Sequence, residues 1–234
     1  MNFLKIKNFF LDLFFPKFCL NCQREGSYLC LDCQGLLEIQ KENFCPVCQK
    51  RALNFKTCRN CQRKTNLNGF FFALNYENPL IKKLIHKFKY DPFIKDLAEI
   101  LADLIISHLT LVEFKFPENS IFLPIPLTKR RLKWRGFNQA EEIGKYLSSY
   151  YQIPILNDVL VRKKFNLPQA ELSGKERIEN VKNAFSCQNQ EKIWRKKVFL
   201  IDDLSTTGAT LEEAAKILKE NGAREIFGLV VAKG

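Results

Sequence analysis

The sequence predicts an α/β fold in which an open parallel sheet is flanked by helices and preceded by a small metal-bound domain. In residues 67–234, short apolar runs bounded by polar residues alternate with stretches of helical periodicity. Such alternation is typical of buried parallel strands joined by helices. In residues 1–66, eight of the nine cysteines occur as four C-x-x-C pairs. We therefore expect two units, 1–66 and 67–234.

The N-terminal stretch has an apolar stripe at helical spacing, which predicts an amphipathic helix. The stripe consists of Phe3, Ile6, Phe10, Leu13 and Phe14. Packing against the rest of the chain is the main interpretation, and contact with a membrane surface or a partner is the alternative. Charged residues interrupt the stretch and no small-residue cleavage site follows, so a signal peptide is not expected. No apolar run approaches the roughly 20 residues of a spanning helix, so we expect no integral membrane segment.

The four C-x-x-C pairs predict two structural zinc ions, because each pair presents two sulfurs to a metal and two pairs complete a tetrahedral site. Disulfides are the competing interpretation, but the regular spacing is typical of metal ligands. Consecutive pairing is the simplest arrangement, and a crossed arrangement stays open. In the consecutive arrangement one site comprises Cys19, Cys22, Cys30 and Cys33, and the other comprises Cys45, Cys48, Cys58 and Cys61. Because this unit is poor in aliphatic residues, metal binding would supply its folding energy.

The chain is strongly basic, with 37 Lys and Arg against 25 Asp and Glu and a formal net charge of +12. Eight thiolates outweigh two zinc ions by four charges, which lowers the net charge to about +8. The basic residues occur in clusters. Solvated faces are their ordinary interpretation, and a polyphosphate substrate or a nucleic-acid backbone is the specific one. The candidate nucleic-acid contacts are Lys82, Lys83, Lys87, Lys89, Lys133 and Arg135.

Five apolar runs predict the strands of the sheet. They cover residues 70–76, 120–126, 155–162, 198–201 and 225–232. Helical patterns begin near residues 78, 91, 138 and 211, the first two opened by Asn-Pro and Asp-Pro. A polar segment, 163–183, precedes the fourth strand, and a loop of this length in a compact domain is usually functional or disordered.

Two acids, Asp202 and Asp203, end the fourth strand, and a short loop of hydroxyl side chains and Gly208 leads from them into a helix. A strand, a small-residue loop and a helix start collect backbone N–H groups and the positive end of the helix dipole at one point, which suits a phosphate. The carboxylates would repel a phosphate, but they can accept hydrogen bonds from two sugar hydroxyls. A ligand with a ribose and a 5′-phosphate satisfies both halves.

A loop dense in arginine, residues 127–139, follows the second strand. In an open α/β sheet, loops at the carboxyl ends of the strands form the ligand crevice. Arginine side chains there can grip a pyrophosphate in bidentate fashion, and Gly136 permits close approach of the backbone. This loop is therefore the candidate pyrophosphate site.

The run 198–210 resembles the phosphoribosyl pyrophosphate (PRPP) binding motif of type I phosphoribosyltransferases: four apolar residues, two acids, and a loop ending T-T-G-x-T. The resemblance implies a type I phosphoribosyltransferase-like fold, with a Rossmann-like parallel sheet flanked by helices. It also implies a set of PRPP contacts. These are Asp202, Asp203, Leu204, Ser205, Thr206, Thr207, Gly208, Ala209 and Thr210 from the motif, and Arg130, Arg131 and Arg135 from the arginine loop.

With the cysteine-rich N-terminal unit, the whole chain resembles the ComF family, of the ComFC type linked to bacterial DNA uptake. The shared pattern includes Pro124-x-Pro126, Arg135-Gly-Phe-Asn-Gln139, Gln169-Ala-x-Leu172-Ser173 and Arg177-x-x-Asn180. The motif departs from its relatives at Ser205, where they often carry a bulkier residue.

The resemblance implies a cytoplasmic protein that binds PRPP with Mg²⁺, binds single-stranded DNA and acts in natural transformation. Peripheral attachment at the inner face of the membrane, and a competence helicase or DNA-processing partner, are further expectations. The implied reaction transfers phosphoribosyl from PRPP to an unknown acceptor, with Asp202, Asp203 and Arg135 as catalytic residues and the 163–183 loop closing over the site. The sequence offers no obvious general base for an acceptor. A catalytically silent PRPP sensor that binds single-stranded DNA through its basic surface is therefore the alternative.

Overall fold

A computed structural model of the chain describes residues 16–52, 55–163 and 183–234. The predicted N-terminal amphipathic helix, nearly all of the 163–183 loop and the family residues between 169 and 180 lie outside these ranges. The strands are β1 (Gly69–Asn75), β2 (Ser120–Pro124), β3 (Leu160–Arg162), β4 (Phe185–Cys187), β5 (Lys197–Ser205) and β6 (Glu225–Lys233). The helices are α1 (Leu31–Gly35), α2 (Pro79–Lys89), α3 (Leu97–Leu111), α4 (Lys129–Arg135), α5 (Gln139–Tyr151) and α6 (Ala209–Glu220).

Four strands form a parallel sheet in the order β1-β6-β5-β2. Strand β5 lies between β6 and β2, and its apolar first half is buried on both faces of the sheet. This explains why the run is continuously apolar rather than alternating. The predicted parallel sheet with flanking helices is confirmed.

The sheet separates two apolar cores. On one face, helices α2, α3 and α5 pack against alternate residues of the strands, including Phe71, Phe199 and Phe227. The rings of Phe199 and Phe227 stack there with centroids 4.8 Å apart. On the other face, helix α6 and the β3–β4 pair cover Phe70, Val198 and their neighbours. Both faces are therefore closed, and the carboxyl ends of the strands remain as the place for a site.

The prediction of a single strand over residues 155–162 was wrong. Ile155 makes one isolated parallel bridge to Phe122, and the chain then bends at residues 157–159. The bend carries Asp158, whose carbonyl and carboxylate oxygens accept hydrogen bonds from the Asn189 side chain at 3.1 and 2.9 Å. Beyond the bend, β3 pairs antiparallel with β4 in a separate two-stranded sheet. Strand β4 is three residues long, too short for a periodic signal.

Several element boundaries also differ from the prediction. Helix α3 begins at Leu97 rather than near residue 91, and the arginine loop contains helix α4. Helix α4 begins after Thr128 because the Thr128 hydroxyl accepts a hydrogen bond from the Arg131 N–H at 3.3 Å and so caps the helix. Gly136, at φ 78°, ends it. In the described ranges, every helix is too short or too polar to cross a membrane.

Candidate functional site

The two acids lie within β5, which continues to Ser205 rather than ending at the acids as predicted, and different contacts hold them in the fold. Asp203 is 2% exposed, and the Nζ atom of Lys89, in the last turn of α2, lies 2.9 Å from its Oδ1 atom. The Oδ1 atom of Asp202 accepts a hydrogen bond from the Asp203 N–H at 2.9 Å. The Oδ2 atom of Asp203 is buried without a partner in the described part of the chain. A buried acceptor of this kind calls for a donor from a ligand.

The pKa values of Asp202 and Lys89 are both shifted. Burial and the charge of Asp203 raise the pKa of Asp202 to about 7, although Lys89 opposes this shift. Burial lowers the pKa of Lys89, but the charges of Asp203 and Asp202 outweigh burial and raise it above the usual lysine value. Lys89 therefore stays cationic and partly neutralises the pair.

A loop of three residues, 206–208, joins β5 to α6, because β5 runs through both acids to Ser205 and α6 begins at Ala209. We call it the phosphate loop, after the ligand group that it is expected to bind. Gly208, at φ 77°, is the N-cap residue of α6 and supplies no side-chain cap. The first-turn N–H groups of a helix have no acceptors within the helix, and the dipole is positive there. The arrangement suits a phosphate between the hydroxyl-rich loop and α6.

Helix α4 supplies arginines to the same place. The Nη1 atom of Arg135 donates a hydrogen bond to the Gln139 Oε1 atom at 2.9 Å. The Arg135 guanidinium lies 5.6 Å from the ring centroid of Tyr90 and 5.9 Å from that of Trp134. Its Nε atom is buried without a partner in the described chain. Arg135 is thus oriented by neighbours and keeps donor capacity.

The guanidinium groups of the cleft crowd one another. Burial and the charge of Arg135 lower the pKa of Arg131. Burial and the charge of Arg131 lower the pKa of Arg162, while Asp202 opposes that shift. The Nε atom of Arg162 is also buried without a partner in the described ranges. Buried, mutually repelling cations are stabilised by a bound anion, so this part of the cleft is suited to a pyrophosphate.

These elements line one cavity of about 810 Å³. The predicted PRPP contacts all lie on its wall: Arg130, Arg131, Arg135, Asp202, Asp203, Leu204, Ser205, Thr206, Thr207, Gly208, Ala209 and Thr210. The wall also contains residues outside the predicted set of PRPP contacts, among them His86, Lys89, Tyr90, Gln139 and Arg162. Lys89 ends a helix and Arg162 ends a strand, and no sequence signal shows that these ends meet at β5.

The eight paired cysteines form two separate four-sulfur groups. In each group all Sγ atoms lie within 4.8 Å of one another. The groups are Cys19, Cys22, Cys30 and Cys33, and Cys45, Cys48, Cys58 and Cys61. This is the consecutive arrangement rather than the crossed one. Four thiolates at this spacing fit a tetrahedral zinc ion.

Two known families match separate parts of the chain. Residues 10–65 match the family described as double zinc ribbon domain, and residues 120–233 match that described as phosphoribosyl transferase domain. The chain is 32% identical over 219 residues to competence protein F of Haemophilus influenzae, covering 86% of this chain and 94% of that protein. The chain belongs to the competence protein F (ComF) family.

Other ComF relatives agree. Competence protein ComFC of Streptococcus pneumoniae is 29% identical, over 89% of this chain and 90% of its own length. DNA utilization protein YhgH of Escherichia coli O157:H7 is 27% identical, over 85% of this chain and 93% of its own length. The predicted family and the predicted double zinc ribbon are confirmed.

The candidate nucleic-acid residues of this ComF chain lie in different environments. Lys82, Lys83 and Lys133 are exposed, and Lys87 is half-buried. Lys89 instead lies inside the cleft, paired with Asp203. The contact of these residues with nucleic acid stays a prediction.

Proposed function

We propose that this ComF chain binds PRPP with Mg²⁺ in the cleft and transfers its phosphoribosyl group to an acceptor. One observation carries the proposal. An acid pair with one buried and one half-buried member, the phosphate loop at a helix start and a group of crowded arginines line the same cavity. These are the three chemical features that a ribose diol, a 5′-phosphate and a pyrophosphate require.

Each part of PRPP has a candidate partner. The 5′-phosphate would bind the loop 206–208 and the start of α6. The ribose hydroxyls would donate to Asp202 and to the Oδ2 atom of Asp203, which is buried without a described partner. The pyrophosphate would bind Arg131, Arg135 and Arg162.

In the transfer, the bond from C1 of the ribose to the pyrophosphate oxygen breaks and pyrophosphate leaves with the electron pair. The acceptor nucleophile then forms a bond to C1. Asp202 and Asp203 favour the positive charge that develops on the sugar, and Arg135 stabilises the negative charge on the leaving group. The carboxylates are the oxygen donors of the cleft that suit Mg²⁺, which when bound neutralises further charge on the pyrophosphate.

Pyrophosphate release from PRPP, with water or an added nucleophile as acceptor, tests the transfer. We expect Arg135→Ala to lower the rate about 100-fold, because a leaving-group contact is lost. Lys133→Ala is the matched control, since Lys133 is exposed on the same helix and lies off the cavity wall. Equal rates in the wild type and in Asp202→Ala/Asp203→Ala would contradict the proposal.

Single-stranded DNA binding is the second candidate function, supported by Trp134. This side chain is 57% exposed and lines the cavity beside the exposed Lys133. An exposed aromatic ring among cations suits base stacking, and the names of the relatives support a role in DNA uptake. Under this proposal the chain senses PRPP while handling DNA, and a DNA-processing partner would act with it.

A fluorescent oligonucleotide titration at several salt concentrations tests DNA binding. We expect Trp134→Ala to weaken binding about tenfold, in line with loss of one stacked base. Trp194→Ala is the control, because Trp194 is equally exposed at 59% and is absent from the cavity wall. Equal losses in both variants would argue against a specific platform, and salt-independent binding would argue against phosphate contacts.

A further inference from the structure

Glu212 lies in the first turn of α6, beside the phosphate loop, and its carboxylate contacts the segment that leaves the second zinc ribbon. The carboxylate accepts three hydrogen bonds: from the Thr65 hydroxyl at 2.5 Å, from the Asn66 N–H at 2.7 Å and from the Asn66 side-chain amide at 2.7 Å. The N–H of Glu212 donates to the carbonyl oxygen of Gly208 at 2.9 Å. Glu212 thus forms hydrogen bonds both to the segment that leaves the second ribbon, residues 65–68, and to the phosphate loop. We call residues 65–68 the ribbon exit.

The ribbon exit is itself fastened to the second four-cysteine site. The Thr57 N–H donates to the Asn68 carbonyl at 2.7 Å, and its hydroxyl donates to the Leu67 carbonyl at 2.7 Å. Thr57 is 3% exposed and immediately precedes the zinc ligand Cys58. An unbroken path of short-range contacts therefore runs from Cys58, through residues 57 and 65–68, to Glu212 and Gly208.

The negative charge of Glu212 links this path to phosphate binding. A carboxylate in the first turn of a helix is attracted by the same N–H groups and dipole that would bind a phosphate. Three donors from the ribbon exit engage both of its oxygen atoms and so satisfy it outside the phosphate site. If the ribbon exit moved away, the carboxylate would lose these donors and compete with a phosphate for the start of α6.

We propose that Glu212 is a positioning residue that couples the second zinc ribbon to the phosphate loop, so that zinc binding and phosphoribosyl binding favour each other. The coupling rests on the proposed PRPP function. The first ribbon is not on this path, because Cys19 and Cys33 lie within the core on the α3 side of the sheet.

Calorimetric titration of PRPP with Mg²⁺ tests the first half of the coupling. In the zinc-loaded protein, Thr65→Val/Asn66→Ala removes two of the three donors, and we expect PRPP affinity to fall about three- to tenfold. Adding Glu212→Gln to that variant removes the competing carboxylate and should recover most of the loss. Glu220→Gln is the matched control, because Glu220 is exposed at the far end of α6.

The outcomes separate this inference from the proposed function. Absence of PRPP binding by the wild type would overturn the proposed function. Normal binding by Thr65→Val/Asn66→Ala would overturn only the coupling. A loss that persists after Glu212→Gln would show that Glu212 is not the mediator.

Coupling between two binding sites is reciprocal, so PRPP must strengthen zinc binding by the same factor. The protein would be equilibrated with a graded zinc chelator, with or without PRPP, and its exposed thiols alkylated in a short pulse. Peptide mass spectrometry then separates the second set of cysteines from the first. We expect PRPP to raise zinc retention about three- to tenfold at the second set only, and not in Thr65→Val/Asn66→Ala. Equal protection of both sets, or of neither, would contradict the coupling.

Discussion

Each zinc ribbon has two C-x-x-C pairs, separated by seven residues in the first ribbon and by nine in the second, and the two ribbons are attached to the transferase domain in different ways. In the first, Cys19 and Cys33 are 0% and 4% exposed and join a continuous apolar core with Leu29 and Leu37. The cysteines of the second ribbon belong to neither apolar core of the described chain, although Phe44 and Phe55 of this ribbon pack on Phe72 and Phe71. Its other attachments are polar, through Thr65 and Asn66 to Glu212 and through Lys56 to Glu225 at 2.8 Å. Apolar burial stabilises a contact without fixing its orientation, whereas a hydrogen bond depends on the relative position of its two partners. We therefore expect the cysteines of the first ribbon to contribute more to stability, and we assign the proposed coupling to the second ribbon.

Replacing one zinc ligand in each ribbon should give the largest difference in stability between the two ribbons. Cys19→Ser and Cys45→Ser each remove the first ligand of one site, and both residues are buried, at 0% and 1% exposure. Each variant should lose one zinc ion. We expect Cys19→Ser to lower the free energy of unfolding by roughly 3 kcal/mol or more and Cys45→Ser by about 1–2 kcal/mol, because among the described residues only cysteines of the first site belong to an apolar core cluster.

Denaturant unfolding and zinc analysis on the same samples check this expectation. The comparison of attachments is contradicted if the two variants are equally destabilised while each retains one zinc ion.

The apolar attachment of the first ribbon can be tested with its metal site intact. Leu37 is 6% exposed within the core, whereas its neighbour Leu36 is 70% exposed. Leu37→Ala should lower the free energy of unfolding by about 2–3 kcal/mol, and Leu36→Ala by less than about 0.5 kcal/mol. Urea unfolding at constant zinc measures both values. Similar losses would mean that Leu37 contributes no more than a surface residue.

The contributions of the ribbons and of the cleft to stability should depend on pH in opposite directions. Zinc ligation weakens as pH falls, because thiolates become protonated. The pKa of Asp202, raised to about 7 by burial and by Asp203, has the opposite effect. Below the ordinary aspartate pKa both folded and unfolded states bind the proton. Between about pH 4 and pH 7 the folded state binds more protons, so stability falls as pH rises.

Asp202→Asn isolates this contribution, because both proteins carry the same ribbons. The stability of the variant relative to the wild type should rise by about 1–3 kcal/mol from pH 4 to pH 7 and then stay level. Thermal unfolding across this range at saturating zinc is the measurement. A stability difference that does not change with pH would contradict the raised pKa.

The sequence predicts most strongly those features that local chemistry alone determines. The C-x-x-C pairs specify their ligands, and the apolar run before Asp202 specifies a buried parallel strand. Helix α2 begins as predicted because Asn78 accepts hydrogen bonds from the N–H groups of Leu80 and Ile81, at 2.9 and 3.4 Å. Each of these signals lies within a few residues of the feature that it predicts.

The missed features depend on contacts between distant segments. Strand β4 has no pattern of its own and exists through its pairing with β3. In the sequence, Lys89 cannot be told apart from the neighbouring surface lysines. The fold brings its Nζ atom to 2.9 Å from the Oδ1 atom of Asp203, a residue 114 positions further along the chain. Arg162 likewise enters the cleft because the chain bends before β3. Sequence distance, rather than residue type, hides these members of the site.

Calorimetric titration of PRPP with Mg²⁺ into the zinc-loaded wild type and into Asp202→Ala/Asp203→Ala tests the central claim most directly. We expect saturable binding by the wild type and at least a tenfold loss of affinity in the variant, about 1.4 kcal/mol or more. Lys82→Ala is the control, since Lys82 is exposed and lies off the cavity wall. Absence of PRPP binding by a folded, zinc-loaded wild type would contradict the assignment of the cleft.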